Sequence, residues 1–157
     1  MVMNSNFIKF FPIIAITLAG ILFPVSKNKV KPVFQPPDWV FGLIWPIITL
    51  TLGFITNLYL ESSKIKINRK NNILKIYFLI IICLVSWLYL NYNHLVKQSF
   101  YLLVFTAYIS IVFLIYLVSS NDNRIKKYVW FLLPMPFWLV LASCLNAVIY
   151  NNKLTSS

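Results

Sequence analysis

The chain has 157 residues, 60% of them hydrophobic and 11% charged, whereas an ordinary soluble domain carries roughly 25% charged residues. A water-soluble fold of this size leaves about a third of its unfolded surface accessible and has no place for so much apolar area. The formal net charge is +11. The basic residues sit in short separators between apolar runs, the pattern that membrane insertion produces, so nucleic acid is not an expected partner.

The apolar runs are Phe7–Val25, Trp39–Leu60, Ile73–Asn93, Ser99–Ser119 and Tyr128–Tyr150. Each is about 19 to 23 residues long, and about 20 residues cross a hydrocarbon core. They predict an all-α fold: an integral, multi-pass membrane bundle of five transmembrane helices in a lipid bilayer. The first run could pass for a signal peptide, but no small-x-small cleavage site follows it. Phe23-Pro24-Val25-Ser26 continues the chain, so the run is read as a retained span. The short links predict antiparallel neighbours and one domain over residues 1–157.

Lysine and arginine place the ends. Lys9, Lys64, Lys66, Arg69, Lys70, Lys75, Arg124, Lys126 and Lys127 collect on one side. Lys27, Lys29, Lys31, Lys97 and Lys153 collect on the other. In a bacterial-type plasma membrane this bias puts the N-terminus inside.

Chemistry-bearing residues are scarce. The acidic residues number 3, and none lies mid-span, which argues against a proton relay or ion pump. Hydrolase, phosphate-loop and zinc motifs are absent. Cys83 and Cys144 lack metal or disulfide spacing and read as small buried hydrophobes. His94, at the end of the third run, reads as a solvated interface residue rather than a haem ligand.

The aromatic residues, 17% of the chain, fall into two groups. Trp39, Tyr128, Trp130 and Tyr150 sit at span ends, where interface anchors belong. Trp45, Trp87 and Trp138 lie deeper, and a buried indole needs a partner for its N–H. Phe41, Trp45, Thr49, Gly53 and Asn57 recur every four residues, on one helix face. Trp138, Ala142 and Asn146 repeat that spacing in the fifth run. Such a face serves either helix packing, with small residues at the contact, or a ligand recess. Pro46, Pro134 and Pro136 are expected to bend two helices and open a cavity near one membrane face. Ala15 and Ala19 form one small-xxx-small pair in the first run.

Two segments carry a family resemblance. The stretch Lys31-Pro32-Val33-Phe34-Gln35-Pro36-Pro37-Asp38-Trp39-Val40-Phe41-Gly42-Leu43-Ile44-Trp45 resembles the TspO/MBR signature that opens the second helix. The stretch from Leu132-Leu133-Pro134 through Trp138 and Ala142 to Asn146 is similar to the family's fifth helix. In the third run, Ser86-Trp87 and Asn91 are candidates for its Asn…Trp-Ser pattern. The first loop is shorter than is usual in the family, and Phe34 stands where tryptophan is common.

The resemblance implies a five-helix bundle, commonly a homodimer, with a ligand pocket toward the first-loop end. Trp45, Phe41, Trp138, Ala142 and Asn146 are then expected to line the pocket, with Trp39 and Pro37 shaping its rim. The implied ligand is a porphyrin such as protoporphyrin IX, and no obligatory cofactor is expected. Lys27, Lys29 and Lys31 at the mouth would favour its carboxylates. The implied role is a receptor or sensor; a transporter of porphyrins or other amphiphiles, or a light-dependent porphyrin-oxidising enzyme, are the alternatives.

Overall fold

The computed structural model describes residues 5–24, 32 and 34–155, with side chains described as far as residue 151. Lys27, Lys29, Lys31 and the side chain of Lys153 therefore lie outside the description. The helices are α1 (Ser5–Leu22), α2 (Asp38–Glu61), α3 (Ile67–Tyr92), α4 (Val96–Val118), a short α5 (Asn123–Tyr128) and α6 (Pro134–Thr155). A 3-10 turn, Val129–Leu132, joins the last two. Five segments among the described residues are long and apolar enough to span a membrane, the fifth running from Asn123 to Asn151.

The exterior states the solvent. Ile21, Tyr108 and Phe137 are 70%, 66% and 72% exposed, and bulky apolar residues of this kind cover the outer face of every spanning helix. Polar and close-packed residues turn inward. This is a multi-pass integral membrane protein, with backbone hydrogen bonding satisfied within helices as hydrocarbon requires.

α1 packs on α2 and α3, α3 packs on α4, and α4 packs on α6. The core runs along α3 and α4, through Tyr77, Ile80, Leu84, Leu103 and Phe113. At the α1–α2 contact two features cooperate. Pro12 lies inside α1 and has no N–H to give the carbonyl four residues back, at Ile8. Tyr77 of α3 donates its hydroxyl to that carbonyl at 2.7 Å. Gly53 of α2 faces the same turn of α1, and a β-carbon there would lie 3.0 Å from the Ile8 oxygen and 2.8 Å from the Lys9 carbonyl carbon. Only glycine lets the two backbones meet at this distance.

Several boundaries differ from the sequence expectation. α3 begins at Ile67, ahead of the apolar run, because Arg69 and Lys70 extend the helix past the hydrocarbon, where charge is free. Pro134 and Pro136 do not bend a continuous span. They occupy the first turn of α6, where proline replaces an N–H that has no helical acceptor. The break lies just before them, in the 3-10 turn. Ala19 is buried within the bundle and Ala15 packs against the core, so this small-residue pair is used inside the chain rather than kept for a second copy.

Two turns fix the helix ends. Asp122 caps α5, accepting from the Arg124 N–H at 2.9 Å and from Ser62 Oγ at 2.8 Å. The Arg124 guanidinium, 3.1 Å away, and then the Ser62 hydroxyl hold its carboxyl well below the usual carboxylate range. This capped ion ties the α2–α3 loop to the entry of the fifth span.

His94 closes α3 at φ 58°. Leu95 N–H bonds Leu90 carbonyl at 2.9 Å and His94 N–H bonds Asn91 carbonyl at 3.0 Å, the paired bonds of a Schellman cap. A left-handed residue with a side chain costs about 1 kcal/mol. His94→Gly should therefore raise stability by about 0.5–1 kcal/mol, read as a higher thermal midpoint in detergent.

Candidate functional site

A cavity of about 500 Å³ lies where the C-terminal ends of α1, α3 and α6 meet the start of α2. From α2 come Phe41, Trp45 and Thr49, successive members of one helix face. From α6 come Ala142, Leu145 and Asn146. From α3 come Leu84, Trp87, Leu88 and Asn91. α1 closes the fourth side with Ile13, Ile16, Thr17 and Gly20, and Gln35 and Asp38 stand where the first loop enters α2.

Aromatic rings form the firmest walls. Trp45 and Trp87 lie 5.6 Å apart between centroids, tilted by 30°. Phe41 meets Trp138 edge-on at 5.0 Å. Flat π-faces fixed in this way offer a large apolar contact area at little entropic cost on binding. Gly20 and Gly42 line the cavity with no atom within 4 Å of where a β-carbon would stand. They widen it rather than permitting helix contact. Pro46 also lines it, and its missing N–H removes the usual helical donor for the Gly42 carbonyl.

A small polar layer lies among the lining residues. Asn91 donates to Ser99 Oγ at 2.7 Å, and Ser99 donates to Asn146 Oδ1 at 3.2 Å. Asn91 and Asn146 also donate to the carbonyls of Trp87 and Ala142, each at 3.0 Å. The two amides are thereby held in place by a buried hydroxyl on a third helix. Amides so fixed present set acceptors and donors, which orient a ligand in an otherwise apolar site. Trp87 and Trp138 each keep a buried indole N–H with no hydrogen-bond partner among the described residues.

This arrangement lies within a region matched by the profile described as "TspO/MBR family", residues 9–151. The chain belongs to the TspO/MBR family. It is also similar to the tryptophan-rich protein TspO of Bacillus cereus, 22% identical over 142 residues, covering 85% of this chain and 86% of that protein. Membership of the TspO/MBR family, with five apolar spans, supports a membrane sensor- or receptor-type role.

Of the residues that the TspO/MBR resemblance carried to this chain, Phe41, Trp45, Ala142 and Asn146 stand in the cavity wall. Trp138 does not line it. Its ring instead packs on Phe41 and is buried. Trp39 is 69% exposed and lies outside the lining, on the outer side of the second span, as an interface anchor would. Pro37 also lies outside the lining and precedes α2 at its N-cap position. Ser99 was missed by sequence reasoning. A lone serine near a span start carries no signal until Asn91 and Asn146 are known to flank it. The contribution of α1 was also missed, because its lining residues, two isoleucines, a threonine and a glycine, carry no motif.

Proposed function

We propose that this TspO/MBR chain is a membrane receptor or sensor that holds a porphyrin-type tetrapyrrole between α1, α2, α3 and α6. The observation that carries the reading is the cavity of about 500 Å³ walled by Phe41 and the Trp45–Trp87 ring pair, with Trp138 packed against Phe41 outside the lining. Its volume falls within the roughly 300–1,000 Å³ of small-molecule sites. A flat conjugated ring gains most from aromatic faces, and fixed amides at Asn91 and Asn146 give it polar contacts. Its carboxylates belong at the first-loop end, near Lys27, Lys29 and Lys31 in the sequence.

Titration of the detergent-purified protein with protoporphyrin IX tests this. Saturable tryptophan quenching is expected. Trp45→Ala should raise the dissociation constant about tenfold, equivalent to about 1.4 kcal/mol. Linear quenching, indifferent to Trp45, would reduce the signal to partitioning into detergent and exclude the porphyrin reading.

A further inference from the structure

A second concavity, of about 480 Å³, lies at the opposite end of the bundle from the aromatic cavity. It runs along α2 toward the 3-10 turn, and its composition changes with depth. Glu61, the last residue of α2, and Lys9 of α1 stand in its wall. Leu58, Phe54 and Leu50 follow below on one helix face, with Phe131 across from them in the 3-10 segment. Eleven residues separate Glu61 from Leu50, a rise of about 16 Å along a helix. Half of a hydrocarbon core is about 15 Å. The groove is therefore as long as one leaflet is deep, with Glu61 at its interfacial end, Lys9 rooted lower, at the level of Gly53, and mainly apolar residues along the rest.

The polar end is specific in charge. Glu61 Oε1 accepts from Asn57 Nδ2 at 2.7 Å and from Ser5 Oγ at 3.0 Å. Two neutral donors thus fix the carboxylate without neutralising it. Lys9 Nζ sits 6.0 Å above the Phe54 ring, an ammonium drawn over the groove by a cation–π contact. The neighbouring Arg124 is bonded to Asp122 at 3.1 Å. A fixed anion and a cation along one groove wall complement a headgroup that carries both charges.

We propose that this groove binds one phospholipid with a primary-amine zwitterionic headgroup, phosphatidylethanolamine. Lys9 takes the phosphate, Glu61 takes the ammonium, and one acyl chain lies along Leu58, Phe54 and Leu50. A primary ammonium donates hydrogen bonds to a carboxylate; the quaternary ammonium of phosphatidylcholine has no proton to donate. Phosphatidylglycerol brings only negative charge to Glu61.

The test is thermal unfolding of the full chain in detergent, with each of the three lipids added at matched acyl chains. A lipid that binds only the folded state raises the midpoint. Phosphatidylethanolamine should do so at a several-fold lower concentration than either other lipid. Glu61→Gln should bring it to the level of phosphatidylcholine. Lys9→Gln should weaken both zwitterionic lipids, and it decides the matter alone if the Glu61 variant does not fold. Equal stabilisation by all three lipids, or a preference for phosphatidylglycerol, would overturn the proposal. So would a phosphatidylethanolamine preference that survives both substitutions.

Discussion

Gly53→Leu should abolish a monodisperse, folded protein in detergent, and Gly53→Ala should lower the thermal midpoint steeply. The cause is backbone contact. Any β-carbon at position 53 would meet the Lys9 carbonyl oxygen of α1 well inside contact distance, with the Ile8 oxygen 3.0 Å away. A flexible side chain could rotate aside, but a helix backbone cannot. α1 would have to lift off α2, and lifting it also strains the Tyr77 bond to the Ile8 carbonyl that Pro12 leaves open. Overpacking of a close contact costs about 1–3 kcal/mol, occasionally more. In hydrocarbon there is little hydrophobic drive to restore helix association. Gly42→Ala, on the same helix, provides the contrast: no atom stands within 4 Å of its β-carbon position. It should leave the midpoint unchanged or slightly raised, because the methyl touches nothing and alanine favours a helix interior over glycine by about 0.5–1 kcal/mol. Equal midpoints for Gly53→Ala and Gly42→Ala in a melt followed by tryptophan fluorescence would show that the α1–α2 contact is not close.

The four-residue repeat of α2 shows how far the sequence reaches. Phe41, Trp45, Thr49, Gly53 and Asn57 are successive i, i+4 neighbours, but at 3.6 residues per turn the row winds by about 40° per step, so its two ends look to different sides of the helix. The period does not say which task falls to each position. Phe41, Trp45 and Thr49 line the cavity, Gly53 meets the backbone of α1, and Asn57 bonds Glu61. The division depends on where α1 crosses, which follows from tertiary packing and leaves no local trace. The spans themselves were legible because about 20 apolar residues in a row have one physical solution. Pro134 and Pro136 were legible as helix-disrupting residues but not as helix starters. The apolar residues Tyr128–Leu133 run into them without interruption and hide the break, which falls in the 3-10 turn Val129–Leu132. Trp39 could be read as pocket rim or as interface anchor, and its exposed position fits the anchor. Ser99 was invisible for another reason: its value lies in joining two amides from other helices.

Ala142→Phe should reduce protoporphyrin IX affinity by more than tenfold while the protein remains folded. Ala142 stands in the cavity wall on α6, one turn from Asn146, whose side-chain amide donates to the Ala142 carbonyl at 3.0 Å. A benzyl group at this position has open volume before it, so it enters the space of about 500 Å³ instead of forcing helices apart. The fold should thus escape most of the overpacking penalty, and the loss should fall on the ligand, which must share the space with a new ring. Each tenfold loss corresponds to about 1.4 kcal/mol. Two clashing ring edges exceed that readily, because a well-packed site cannot deform without cost. Cys144→Phe serves as the control. It lies two residues along the same helix but is exposed on the outer surface, so it adds the same side chain to the lipid-facing side and should leave quenching unchanged. If Ala142→Phe binds as tightly as wild type in a saturable titration, the tetrapyrrole does not sit between α2 and α6. If both variants weaken binding equally, the effect belongs to α6 as a helix and not to the cavity.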